Sequence, residues 1–171
     1  MSEEKVPEPV FHFSENFSTA YFGNIPPEVS GEKNPSDDAK LISNFIRLLI
    51  DPEHRLEKLE ALNIIRKSNA QQFLVDLIAM PKFEKHQKEV VMACWESGLD
   101  FSNHLIFFAN LVVNCEYPVA LEAITVIDEM QLLTDSLLRE KAIEILTTPS
   151  ISTDKQQLIA STIERIRSIQ D

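Results

Sequence analysis

Helix breakers are spread so unevenly along this chain that they decide most of what it can fold into. Five of its nine prolines (Pro7, Pro9, Pro26, Pro27 and Pro35) and two of its three glycines (Gly23 and Gly31) fall within the first 35 residues. A continuous helix is impossible there, because proline lacks the backbone donor and its ring clashes with the preceding turn. From Ser36 onward only Pro52, Pro81, Gly98, Pro118 and Pro149 interrupt the chain. Those four prolines stand roughly 30–40 residues apart, the interval at which two-helix repeats recur.

The windows between the breakers carry helical signals. Ser36-Asp37-Asp38 offers a capping hydroxyl and two carboxylates to a helix N-terminus. Leu41, Ile42, Phe45, Ile46, Leu48 and Leu49 follow at helical spacing as far as Asp51-Pro52. A second helix through Leu56, Leu59, Leu62 and Ile65 ends on cations near Lys67. The same reading predicts helices over about 70–80 and 84–97, the latter closed by Gly98, then over about 102–114, 117–130, 134–147 and 153–169. Eight helices joined by short turns predict an all-α chain of four helical hairpins.

The second helix of each hairpin can be laid over the others on Ala61, Ala93, Ala123 and Ala160. A small residue recurring at one helix position lets neighbouring helices approach closely. A lone hairpin would leave an apolar face in water, so each is expected to stack on the next. The window from Leu105 to Val113 is apolar nearly all round and is expected to be covered on both sides.

Asp51-Pro52-Glu53-His54-Arg55, followed by Glu60-Ala61-Leu62, resembles the turn and second helix of HEAT repeats, in which an Asp-Pro turn precedes an arginine and an Ala-Leu pair packs inward. As periodicity, the resemblance to the HEAT/armadillo class covers residues 36–169; in residue type only this first hairpin matches. The arginine position is filled later by Gln87, Tyr117 and Asp154, so an inter-repeat Asp–Arg ladder does not carry through the chain. The resemblance implies an α-solenoid of about four stacked hairpins over residues 36–171, behind an irregular leader of residues 1–35. An irregular helical bundle is the alternative.

Charge narrows the partners. The formal net charge is −11, from 27 Asp and Glu against 16 Lys and Arg. Nucleic-acid affinity comes largely from cations that displace counterions, and an anionic membrane leaflet likewise attracts cations. No nucleic acid and no membrane are therefore expected as partners, and a protein with a basic segment is the simplest match. The amino-terminal sequence has no secretory pattern and no apolar run approaches the ~20 residues of a membrane span, so a cytoplasmic protein is expected. Cys94 and Cys115, without a CxxC neighbour, read as buried free thiols.

Three groups of residues are candidates for function. Glu57, Glu60, Glu89, Glu96, Glu122 and Glu129 share one stripe when the second helices are superposed, roughly opposite an apolar stripe that in the first hairpin runs through Leu56, Leu59, Leu62 and Ile65. In HEAT-like proteins such second helices line the concave side. Residues 89–138 hold eight acidic side chains and no lysine or arginine. The stripe is either an ordinary solvated face or a docking groove for a basic segment. Phe11, Phe13, Phe17, Tyr21 and Phe22 crowd five aromatics into the leader, either to cover the open end of the first hairpin or to bind another protein. His54 and His86 occupy equivalent repeat positions with Glu116 next in series, but helices ~8–10 Å apart cannot bring equivalent positions onto one metal ion. His12 and His104 also lack ligand spacing, so no metal is expected.

No GxSxG, P-loop, GxGxxG or close Cys-His pair is present, and three glycines leave no phosphate-cradling loop. These readings converge on a non-enzymatic protein-interaction or scaffold module with an acidic helical face and no cofactor. The alternatives are a structural subunit of a larger assembly, and a HEAT-like nucleic-acid-repair enzyme. The latter needs a basic groove, for which the chain offers only Lys82, Lys85 and Lys88.

Overall fold

A computed structural model describes residues 35–131, 136–147 and 153–168; the predicted leader and its aromatics lie outside the described residues. Among the described residues the chain is helical throughout, with no strand. The described residues form eight α-helices: α1 (Pro35–Ile50), α2 (Arg55–Lys67), α3 (Gln71–Ala79), α4 (Gln87–Glu96), α5 (Leu105–Asn114), α6 (Tyr117–Glu129), α7 (Ser136–Leu146) and α8 (Thr153–Ser168).

Each boundary has a local cause. Pro52 opens a 3₁₀ turn, Pro52–His54, and the Asp51 carboxylate caps it by accepting from Glu53 N at 3.0 Å. Pro118 lies in the first turn of α6, where a missing N–H leaves no bond unmade. Pro81 has a larger effect than the periodicity predicts. It starts a 3₁₀ stretch, Pro81–His86, that buries Phe83, so α4 begins three residues later than the predicted 84. A shorter 3₁₀ turn, Ser102–His104, likewise delays α5.

Two helices end in the same way. Asn69 follows α2 with φ 50°, and Gly98 follows α4 with φ 66°. Left-handed residues at this position turn the last amides back onto free helical carbonyls. Asn69 N donates to Arg66 O at 3.1 Å and Ala70 N to Ile65 O at 3.1 Å. Gly98 N donates to Trp95 O at 3.1 Å, and the Ser97 hydroxyl takes the remaining role, donating to Cys94 O at 2.6 Å while accepting from Leu99 N at 3.3 Å.

Helices pack with their chain neighbours, α1 on α2, α3 on α4, α5 on α6 and α7 on α8. They also pack across these pairs: α1 on α4, α4 on α6, α6 on α8, and α5 on α7. One apolar core results, from Phe45 in α1 to Ile166 in α8. The Phe45 ring meets Phe73 of α3 at 5.6 Å, and Phe108 of α5 is wedged edge-on between Phe101 and Phe107. As its all-round apolarity predicts, α5 is covered on most sides, and only Asn110 and Asn114 are exposed.

The small-residue register holds for three helices and shifts in the fourth. Ala61, Ala93 and Ala123 are buried, but Ala160 is exposed. Thr162 takes the buried place at 1% exposure. Its hydroxyl donates to Leu158 O at 3.1 Å within its own helix, so the residue packs as a small side chain with no polar debt. The recurring triplet is then Ala61-Leu62-Ile65, Ala93-Cys94-Ser97, Ala123-Ile124-Ile127 and Thr162-Ile163-Ile166, every member buried.

The predicted apolar stripe of α2 is also corrected. Leu62 and Ile65 are buried, whereas Leu56 is 79% and Leu59 55% exposed. Residues strictly three apart fall about 60° short of a full turn at each step, so such a stripe winds from the core face into solvent. Of the two free thiols, Cys94 is buried as expected but Cys115 is only half-buried.

Candidate functional site

The acidic residues singled out in the sequence lie on α2, α4 and α6, and the structure divides them by what each carboxylate touches. Glu57 and Glu60 project from α2 into solvent, as Glu129 does from the end of α6. Glu89, in the first turn of α4, is half-buried, with Oε2 enclosed and no hydrogen-bond donor upon it. The remaining two join helices. Lys58 Nζ of α2 lies 2.7 Å from Glu96 Oε2 of α4, off the line of a hydrogen bond, so the contact is an ion pair between half-buried groups. The Trp95 indole of α4 donates to Glu122 Oε2 of α6 at 3.0 Å.

A third tie continues this series. Arg165 of α8 donates to Met130 O at 3.2 Å, just beyond α6, and its Nε lies 3.7 Å from Asp128 Oδ1. Burial raises the Asp128 carboxyl above its ordinary range; the Arg165 charge counters that and Glu129 adds to it. One polar tie thus joins each successive pair among α2, α4, α6 and α8. Sequence reasoning missed Lys58, Trp95, Asp128 and Arg165. Only the helical superposition could have found them, by asking which polar residues flank the buried triplet on adjoining helices.

The loops carry a parallel series. Asp100 Oδ1 accepts from Ser102 N at 3.1 Å and from Gln131 N at 3.3 Å, while Asp100 O accepts from Gln71 Nε2 at 3.4 Å. Gln71 opens α3, Asp100 lies between α4 and α5, and Gln131 follows α6, so this side chain and its backbone link three turns of the chain. A buried lysine does related work at the other end. Lys155, 7% exposed in the first turn of α8, donates to Val112 O at 3.1 Å and to Cys115 O at the C-terminus of α5. That helix has no cation of its own in its last turn, and Lys155 supplies one to its free carbonyls and dipole.

The remaining candidates separate. His54 Nδ1 lies 2.9 Å from Asp51 Oδ2, off the line of a hydrogen bond, and Arg55 beside it is exposed. The His104 ring lies against Phe101 at 6.1 Å. Burial lowers its pKa below the ordinary 6.5, against the opposing pull of Asp76. Among the described residues no three His, Cys, Asp or Glu side chains come together in a way that could hold a metal ion. Lys82, Lys85 and Lys88 are all exposed, with Lys82 Nζ 4.9 Å above the Phe83 ring. No described helix is long and apolar enough to cross a membrane. Burial pushes both thiols above their ordinary pKa, Lys155 partly offsetting this for Cys115. No protein-family model, no curated protein and no solved structure matches this chain.

Proposed function

We propose that the chain is a non-enzymatic interaction module, a HEAT-like α-solenoid of about four stacked hairpins whose second helices present an acidic face to a basic segment of a partner protein. The series of ties Lys58–Glu96, Trp95–Glu122 and Arg165–Asp128 carries this reading. Such ties suit a stacked layer, in which α4 packs on α6 and α6 on α8, while α2 packs on α1 and meets α4 through Lys58–Glu96. They consume two of the six glutamates and leave Glu57, Glu60, Glu89 and Glu129 for a ligand. The stretch 89–138 itself supplies no lysine or arginine to neutralise Glu89 and Glu129.

Rim ion pairs of this kind contribute about 0.2–1 kcal/mol each and act chiefly on association rate and salt dependence. Four together give about 1–4 kcal/mol, a factor of roughly 5 to several hundred in Kd. The test is titration of the full chain with a lysine- and arginine-rich peptide, at low and raised salt, beside the variant E57Q/E60Q/E89Q/E129Q. The reading requires binding that weakens with salt and falls by that factor in the variant. Equal binding by the two proteins contradicts it. Glu96 and Glu122 are left in place, so that loss of a helix tie is not mistaken for loss of a ligand contact.

A further inference from the structure

The stretch between α3 and α4 differs from the rest of the chain in both backbone and charge. Runs of 3₁₀ helix beyond three or four residues are uncommon, yet Pro81–His86 has six. A 3₁₀ helix turns once in three residues, so side chains three apart stand in a straight row. Burial follows that period. Phe83 is buried and His86 half-buried on the edge that meets the core, while Lys82 and Lys85 are exposed on another. Lys88, three residues further and in the first turn of α4, is exposed as well. An α-helix would swing each successive lysine about 60° aside; the 3₁₀ geometry keeps Lys82 and Lys85 in line, about 6 Å apart.

The row is held in place. Pro81 fixes its own φ at the start, and Phe83 N donates to Met80 O at 3.0 Å. Just beyond the stretch, Gln87 Nε2 donates to Ile78 O at 3.3 Å. The ammonium groups are otherwise uncommitted. Among the described residues none of the three forms an ion pair, and Lys82 Nζ rests 4.9 Å from the centre of the Phe83 ring. Glu84 is the one carboxylate inside the stretch, and the threefold period puts it on the remaining edge.

We infer that Lys82, Lys85 and Lys88 form a second docking surface, which takes an extended acidic segment of a partner protein with carboxylates at alternate residues. Spacing favours this occupant. Alternate side chains of an extended strand lie on one side, about 6.6 Å apart, close to the ~6 Å step of the row. Three carboxylates can then each meet one ammonium. Charge complementarity favours a short segment over a nucleic acid. A duplex carries a charge every ~1.7 Å and runs on past three lysines, over a protein of net charge −11 that repels it. An acidic strand of about five residues ends where the lysines end.

Titration of the full chain at low salt with the peptide Glu-Thr-Glu-Thr-Glu tests this, beside the variant K82Q/K85Q/K88Q, which alters exposed positions only. Binding should weaken about tenfold in the variant, as loss of three rim ion pairs gives. It should also weaken for Thr-Glu-Glu-Glu-Thr, which has the same composition but cannot place three carboxylates on one side of a strand. The variant E57Q/E60Q/E89Q/E129Q should bind the first peptide at least as well as the unaltered chain, which separates this surface from the acidic face. Equal binding by the unaltered chain and the lysine variant overturns the proposal, as does equal binding of the two peptides. Duplex DNA held more tightly than the peptide, and released by the same lysine variant, assigns the row to nucleic acid and overturns it too.

Discussion

Gly98 shows how much a single backbone angle holds in place. A Cβ there would meet only Arg66 Nη1 and Cδ, at 3.8 and 3.9 Å, which is ordinary contact. Space is therefore not the obstacle; the φ of 66° is. Gly98→Ala should cost about 1–2 kcal/mol in urea unfolding. Gly98→Asn should cost less, since Asn69 fills the equivalent place after α2. The position was legible because a glycine directly after an apolar helical run has one common use. His104 was not, since nothing in its neighbours reveals burial. Its pKa is lowered on folding, so the unfolded chain binds the proton more readily and acid favours unfolding. Stability is complete above the ordinary 6.5 and declines as pH falls through the lowered folded value. The urea midpoint of the unaltered protein should therefore drop more between about pH 7.5 and 5.5 than that of His104→Phe. Parallel curves would remove His104 from that account.

At the scale of elements, proline and glycine punctuation located the helices to within a few residues, and the exceptions have named causes. Phe83 draws Pro81–His86 into a 3₁₀ stretch. The register was lost at α8 because alanine alone served as its marker, while a threonine that bonds its own helix packs as tightly. Paired substitutions test that correction. Ala160→Lys should change stability by less than about 0.5 kcal/mol, as a surface change does. Thr162→Leu should cost about 1–3 kcal/mol by overfilling its buried place in α8. The reverse order would restore the alanine register. Lys155 was illegible for another reason: lysine in the first turn of a polar helix reads as a solvated side chain, and its carbonyl partners lie about 40 residues away. Lys155→Met keeps the apolar stem and removes the ammonium. It should destabilise by about 1–3 kcal/mol through the unbonded carbonyls of α5, measured as a shift in urea midpoint at unchanged slope.

For the whole molecule, the charge imbalance could be read from composition, but its division into ties and free carboxylates could not. Glu96 and Glu57 look alike in sequence, and only Lys58 on the neighbouring helix separates their roles. The proposed acidic face depends on successive hairpins stacking in order, because an irregular bundle has no continuous layer of second helices to present. Stacked arrays are stabilised by each unit and its nearest neighbours, so damage at one end stays near that end. Native-state hydrogen exchange on Ile166→Ala tests this most directly. Removing that buried side chain, 1% exposed in α8, should cost about 2–5 kcal/mol locally. The stacked arrangement predicts that amides of α7 and α8 lose protection while those of α2, α3 and α4 keep theirs. An equal loss of protection from α1 to α8 would mark a single cooperative bundle and contradict it.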